Sequence, residues 1–177
     1  MIAALKGKIF EKHDGKILLD VNNVIYELNV SVNTFSKATD GIYYITEIIK
    51  ENEYSLYGFL EKDEKKLFDN LIKLNGVGPK VALAICSTFT PSEFVEVITN
   101  GDINSLKKVP GIGPKSAKRI LMEMGEFEVE NINQELNQAI IALENLGFKK
   151  VDILKVTQGL NGKVEDIIKE ALKRLSR

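Results

Sequence analysis

Cysteine and histidine occur once each in the 177 residues, tryptophan not at all, and proline four times. A single cysteine, Cys86, excludes an internal disulfide framework and any site built from clustered thiolates. With His13 as the one imidazole, a zinc site would need carboxylates, and no metal-ligand spacing is visible. Long apolar runs are missing too. Val81 to Cys86 is typical of the longest, far short of the ~20 residues that a bilayer-spanning helix needs. The opening Met1 to Lys8 holds no apolar stretch of the secretory kind. A cytoplasmic protein with no membrane attachment is the expectation. Charge of one sign is also absent: 24 basic against 25 acidic residues give a net −1, so no global field argues for nucleic acid.

What is present is an ordinary globular composition, with enough apolar residue to bury a core in one to three small domains. The basic residues are unevenly placed. Lys73 to Arg119 holds seven of them against three acids, Glu93, Glu96 and Asp102. Charge alone would make this a solvated lysine face. The glycine pattern of the same window changes that reading.

Residues 1–62 are rich in Val, Ile, Tyr and Phe in short segments bounded by turn signals. Asp14-Gly15, Asn22-Asn23, Asp40-Gly41 and Lys50-Glu51-Asn52-Glu53 separate runs ending in Leu56-Tyr57-Gly58-Phe59. Five short strands with tight turns suggest an OB-type barrel, since a flat sheet would leave its edges exposed. From residue 63 to 124 the apolar spacing becomes helical, as at Leu67, Phe68, Leu71 and Ile72. Residues 125–133 are acidic and weakly periodic and read as a flexible linker. Residues 134–177 read as three short helices, broken at Asn145 to Phe148 and at Gly159 to Gly162. The fold class is therefore multi-domain α+β.

A shift of 35 residues superposes two stretches of the helical region. Leu71 meets Leu106, Leu74 meets Val109, Val77 meets Ile112, Ala82 meets Ala117 and Ile85 meets Ile120. Between them Gly76-Val77-Gly78-Pro79-Lys80 falls on Gly111-Ile112-Gly113-Pro114-Lys115. The glycines permit a sharp turn and a close approach to another surface. Proline suits the first helical position, where its missing N–H would be unpaired anyway. The exposed amides and dipole of that helix start favour an anion, and Lys80 or Lys115 adds a cation. Such a turn suits a phosphodiester oxygen and reads no base edge. A single copy could be a mere helix-to-helix turn; two in register point to function. The second copy adds Lys118 and Arg119 near one face with Lys115, where the first has Leu83 and Ala84. The second is therefore expected to grip phosphate harder. No Gly-x-x-x-x-Gly-Lys-Ser/Thr string occurs, so the motif is not an ATP site.

These repeats resemble tandem helix-hairpin-helix motifs, which bind DNA backbone without sequence preference. With the preceding barrel, the Leu56-Tyr57-Gly58-Phe59 string and the C-terminal helices, the whole chain resembles the RuvA family of Holliday-junction-binding proteins. The resemblance implies a non-catalytic subunit without cofactors. It implies a homotetramer, or an octamer on DNA, that holds four-way junction DNA open and planar. It implies partnership with a RuvB-type hexameric ATPase and with a RuvC-type junction resolvase. DNA-backbone contacts carry over to Gly76, Gly78, Lys80, Gly111, Gly113, Lys115, Ser116, Lys118 and Arg119. The family's acidic pin, a pair of adjacent acids, falls on Glu51-Asn52, with Glu53 following; Asn52 stands where the second acid would be. The C-terminal block is similar to the family's motor-binding domain, of the ubiquitin-associated type, and its contacts map onto Leu143, Leu146, Phe148 and Leu172. The residues by themselves also leave room for a repair glycosylase or nuclease built on the same hairpins, or for a protein-interaction adaptor. A glycosylase of this type needs an Asp shortly after its hairpin, whereas the nearest acids here are Glu123 and Glu126. An adaptor leaves the doubled turn unexplained.

Overall fold

The computed structural model describes residues 1–157, 159–160 and 162–175, without the side chains of 126–134 and 150. Two compact units are present, Met1–Leu121 and Met122–Arg177.

The first unit opens with strands β1 (Ala4–His13), β2 (Lys16–Val21) and β3 (Val24–Asn29), a short helix α1 (Val32–Lys37), then β4 (Gly41–Lys50) and β5 (Glu53–Phe59). The strands close into a barrel in the order β1-β2-β3-β5-β4, as an OB-fold does. All neighbours are antiparallel except β3 and β5. Asp14-Gly15 and Asn22-Asn23 have positive φ at both central positions, the geometry that matches the twist of paired strands. Period-two alternation sends Leu5, Ile17, Leu19, Leu28, Tyr43, Ile45 and Leu56 into the barrel core. Gly58 is there because Leu28 leaves no room: a Cβ would lie 3.0 Å from Leu28 Cδ1.

Helix α1 was not foreseen in the sequence. It is only six residues long, capped by the Ser31 side chain, which accepts from the Thr34 N–H. Helix α2 (Lys62–Leu71) lies against β4 and β5. Its Phe68 ring is 4.9 Å from Tyr57 and 5.1 Å from Phe59, and Thr46 donates to Asp69 at 2.6 Å. A buried polar knot adds to this junction. The hydroxyls of Ser31 and Thr34 donate to the two carboxyl oxygens of Glu64, and all three residues are buried. Asn33 donates to the Cys86 carbonyl at 2.7 Å, and the Val32 N–H donates to Ser87 at 3.0 Å. Cys86 is buried, as expected of a core residue, and burial pushes its thiol pKa up.

Helices α3 (Pro79–Thr88), α4 (Pro91–Thr99), α5 (Ile103–Leu106) and α6 (Pro114–Asn145) follow. The bounds of α6 take in residues 125–133, where a linker is expected. No glycine or proline occurs between Gly125 and Gly147, so nothing in the composition breaks the helix once it has started. The side chains of 126–134 lie outside the described residues.

In the second unit, α6 ends at a Schellman turn. Phe148 N–H donates to Leu143 O, Gly147 N–H donates to Glu144 O, and Gly147 takes φ +93°. Helices α7 (Lys150–Thr157) and α8 (Val164–Leu175) complete the unit around Leu143, Ile153 and Ala171. Glu135 accepts the Val164 N–H at 2.8 Å, and Arg174 donates to Val156 O at 3.0 Å, so side chains satisfy both ends of the α7–α8 connection. Of the expected break at 159–162, Gly159 and Gly162 have positive φ, and Asn161 lies outside the described residues.

Candidate nucleic-acid interface

The repeat read in the sequence is a repeat of hydrogen bonds. Leu74 N–H donates to Leu71 O and Val77 N–H to Leu74 O, each at 3.1 Å. Thirty-five residues on, Val109 N–H donates to Leu106 O and Ile112 N–H to Val109 O, also at 3.1 Å. Each helix then starts alike, with Ala82 N–H donating to Gly78 O at 3.0 Å and Ala117 N–H to Gly113 O at 2.9 Å. Val77 and Ile112 are the buried pegs of the two turns; Ala82, Ile85, Ala117 and Ile120 pack behind them.

The four turn glycines divide into two kinds. Gly76 and Gly111 take φ +75° and +86°, left-handed values that strain any other residue. Gly78 and Gly113 do not: Gly78 is extended at φ −80°, and a Cβ on either would meet nothing within 4 Å. Nothing among the described residues requires glycine at these two N-caps. Their bare faces open outward, directly before the amides of α3 and α6, where a close-fitting surface from outside would need them bare.

Lys80, Lys115, Lys118 and Arg119 are exposed and Ser116 is half-buried. One of the second-copy cations also meets the first copy. The Arg119 guanidinium lies against Gly76 of the first turn, so that a Cβ there would overlap Nη2 and lie 3.1 Å from Cζ. The sequence alone gave no sign of this, because the contact joins the two repeats.

The pin residues Glu51, Asn52 and Glu53 are exposed at the β4–β5 turn. Glu53 is held in place: it accepts from Ser55 Oγ at 3.0 Å and pairs with Lys50 Nζ at 3.2 Å. The Ser55 hydroxyl, then Lys50, hold its carboxyl below the usual range, with a smaller push from Lys80. The turn's two carboxylates are thus offset by one lysine within it, and the first hairpin's lysine acts on it from α3.

In the second unit the four mapped residues separate. Leu143 is wholly buried and holds the core; Leu172 packs against that core; Leu146 and Phe148 are 63% and 37% exposed. Ile141, Val151 and Leu154 are exposed as well, an apolar surface that the carried-over positions did not include. Period alone could not assign these, because a short helix between two others shows no clean polar face.

Comparison with known proteins covers each part of this architecture. The family profile described as RuvA N terminal domain matches residues 1–58. The profile described as SAM-like Helix-hairpin-helix tandem matches residues 68–126. The profile described as RuvA, C-terminal domain matches residues 134–176. The chain is 70% identical to the Holliday junction branch migration complex subunit RuvA of Nautilia profundicola, over 100% of this chain and 98% of that protein. It is 47% identical to the protein of the same name from Nitratiruptor sp., over 100% of both chains. It is 45% identical to that of Sulfurimonas denitrificans, over 99% of this chain and 98% of the other. Barrel, doubled hairpin and C-terminal helices, in this order and at these identities, place the chain in the RuvA family.

Proposed function

We propose that the chain is the DNA-binding, non-catalytic subunit of a Holliday junction branch migration complex. The two hairpins hold duplex arms by their phosphates. A homotetramer, alone or doubled on the DNA, gathers four arms into an open, planar junction. Glu51 and Glu53 from each subunit meet at its centre and keep the crossing strands apart by repulsion. The apolar surface around Leu146 and Phe148 recruits a RuvB-type hexameric ATPase, which supplies the energy, and a RuvC-type resolvase acts on the junction so presented. The chain works in the cytoplasm, in recombination and repair, and needs no cofactor.

The observation that carries this reading is the pair Gly78 and Gly113: two glycines with ordinary φ and open space, each opening a helix beside a lysine. A phosphate backbone seated on the helix start accounts for both the bare Cα and the cation. The test is a mobility-shift titration of four-way junctions and equal-length duplex, of scrambled sequences, over a range of salt. Junction preference, indifference to sequence and a steep salt dependence are expected. Gly78→Ala with Gly113→Ala should cost at most about 1 kcal/mol of stability per site, as poorer N-caps, yet abolish the shift. Flat salt dependence, or an undisturbed shift in the double variant, would refute the reading.

A further inference from the structure

We infer that Arg119, a residue of the second hairpin by sequence, is a backbone-gripping cation of the first. This rests on the junction-binding reading above. In the sequence the cations are unequal: Lys80 stands alone after the first turn, and Lys115, Lys118 and Arg119 follow the second. In space they regroup. The three atoms nearest to the empty Cβ position of Gly76 are Nη2, Cζ and Nη1 of Arg119, the last at 3.4 Å, so the guanidinium covers that face of the first turn. Gly76 stands two residues before Gly78, the open N-cap of α3. Lys118 and Arg119 are consecutive on α6 and so project about 100° apart. Of the two, Arg119 is the one that reaches across to the first turn.

The opposite contact shows that the crossing is a feature of how the hairpins pack. Gly111, the equivalent of Gly76, has Val81 Cγ2 of α3 at 3.4 Å from its Cβ position. Each helix therefore covers the other turn's left-handed glycine, with an aliphatic group in one direction and a cation in the other. The outcome is Lys80 with Arg119 at the first turn and Lys115 with Lys118 at the second. Guanidinium suits this place because it is planar with five donors in a fork: one edge can rest on the turn while another meets phosphate oxygens. Gly76 then has a double reason to be glycine, its φ and the room it leaves for the cation.

A double-mutant cycle on the full-length protein decides it, with junction affinity read by fluorescence anisotropy at several salt concentrations. Arg119→Ala should weaken binding about tenfold or more. It should also lower the slope of log K against log salt by about 0.9 for each phosphate contact removed. The loss should be less than multiplicative with Lys80→Ala, because both serve one site, and multiplicative with Lys115→Ala. Arg119→Lys should keep the parent slope with part of the affinity, and it carries the same cycle should the alanine variant fold poorly. Coupling to Lys115 in place of Lys80 overturns the inference. So does a loss of affinity at an unchanged salt slope, which would make Arg119 a prop for the turn. Failure of the junction-binding reading would show separately, in the parent protein's own salt dependence and junction preference.

Discussion

Replacing Glu64 by Ala tests what joins the hairpin helices to the barrel. Glu64 accepts from both Ser31 Oγ and Thr34 Oγ1, the latter at 2.8 Å, and the three residues are 6%, 0% and 1% exposed. Ser31 Oγ also caps α1 by accepting the Thr34 N–H at 3.0 Å. Alanine leaves two buried hydroxyl donors without an acceptor, each costing about 1–3 kcal/mol, or about 2–6 kcal/mol together. Set against a typical stability of about 5–15 kcal/mol, that is a large share. A fall in melting temperature of about 10 °C or more is expected. Glu64→Gln should cost much less, since the amide keeps one acceptor and its NH2 can donate to a hydroxyl that rotates. Urea unfolding at fixed protein concentration, followed by far-UV circular dichroism, measures both. A Glu64→Ala loss below about 0.5 kcal/mol would refute the claim that this knot contributes to the docking of α1 and α2.

Three further outcomes are expected. Leu143→Ala should cost about 2–5 kcal/mol by opening a cavity in the second unit, whereas Leu146→Ala, at a largely exposed side chain, should leave the melting curve nearly unchanged and weaken stimulation of the motor; urea melts and a branch-migration assay separate them. Glu47, Glu53, Glu93 and Asp102 all have carboxyl pKa values lowered, chiefly by hydrogen bonds from Tyr54, Ser55, Thr90 and Ser105 respectively. Their stabilisation is complete above the ordinary carboxylate range of about 4–4.5 and disappears as pH falls through the lower folded values. Melting temperature should therefore drop on acidification below about pH 4.5, and less so in Thr90→Ala with Glu93→Gln. Replacing Glu51 and Glu53 by Gln should raise duplex affinity relative to junction affinity; an unchanged ratio in paired titrations would remove the pin from the mechanism.

The barrel was legible because turn chemistry and period-two alternation agree: Asp14-Gly15 and Asn22-Asn23 mark hairpins that the structure forms, and β2 spans Lys16–Val21 as read. The doubled hairpin was legible because the repeat carries its own register, down to matched hydrogen bonds. What escaped were features made by distance in sequence or by brevity. Helix α1 is too short for a period, and its single strong signal is the cap at Ser31. The bounds of α6 run through residues 125–133, where the acidic, weakly periodic sequence suggests a linker, because Gly125 is the one helix-weakening residue there and nothing after it stops the helix before Gly147. Spacing along one helix places Arg119 with Lys115 but cannot reveal its contact with Gly76 of the other turn. Leu143 and Leu146 look equivalent in sequence, and only packing separates core from surface.

The barrel's thinnest seam has a consequence for how the first unit forms. Strands β1, β2 and β3 follow one another as local hairpins, and β4 and β5 make another. The parallel seam joins Leu28 with Leu56 and Asn29 with Tyr57, helped by Asn29 Nδ2 donating to Leu56 O at 3.1 Å. Closing it brings together residues 28 apart along the chain, and the β1–β4 seam joins residues 34 to 40 apart, so the entropy of loop closure falls on these two seams rather than on the hairpins. The same short stretch faces two ways. Leu56 and Gly58 meet Leu28 on the inside, while Tyr57 and Phe59 receive Phe68 on the outside. Ring closure and the seating of α2 thus draw on neighbouring residues of one strand and reinforce each other. The barrel and the DNA-gripping helices would mature as one cooperative piece, with the amides of β5 among the last of this unit to exchange with solvent.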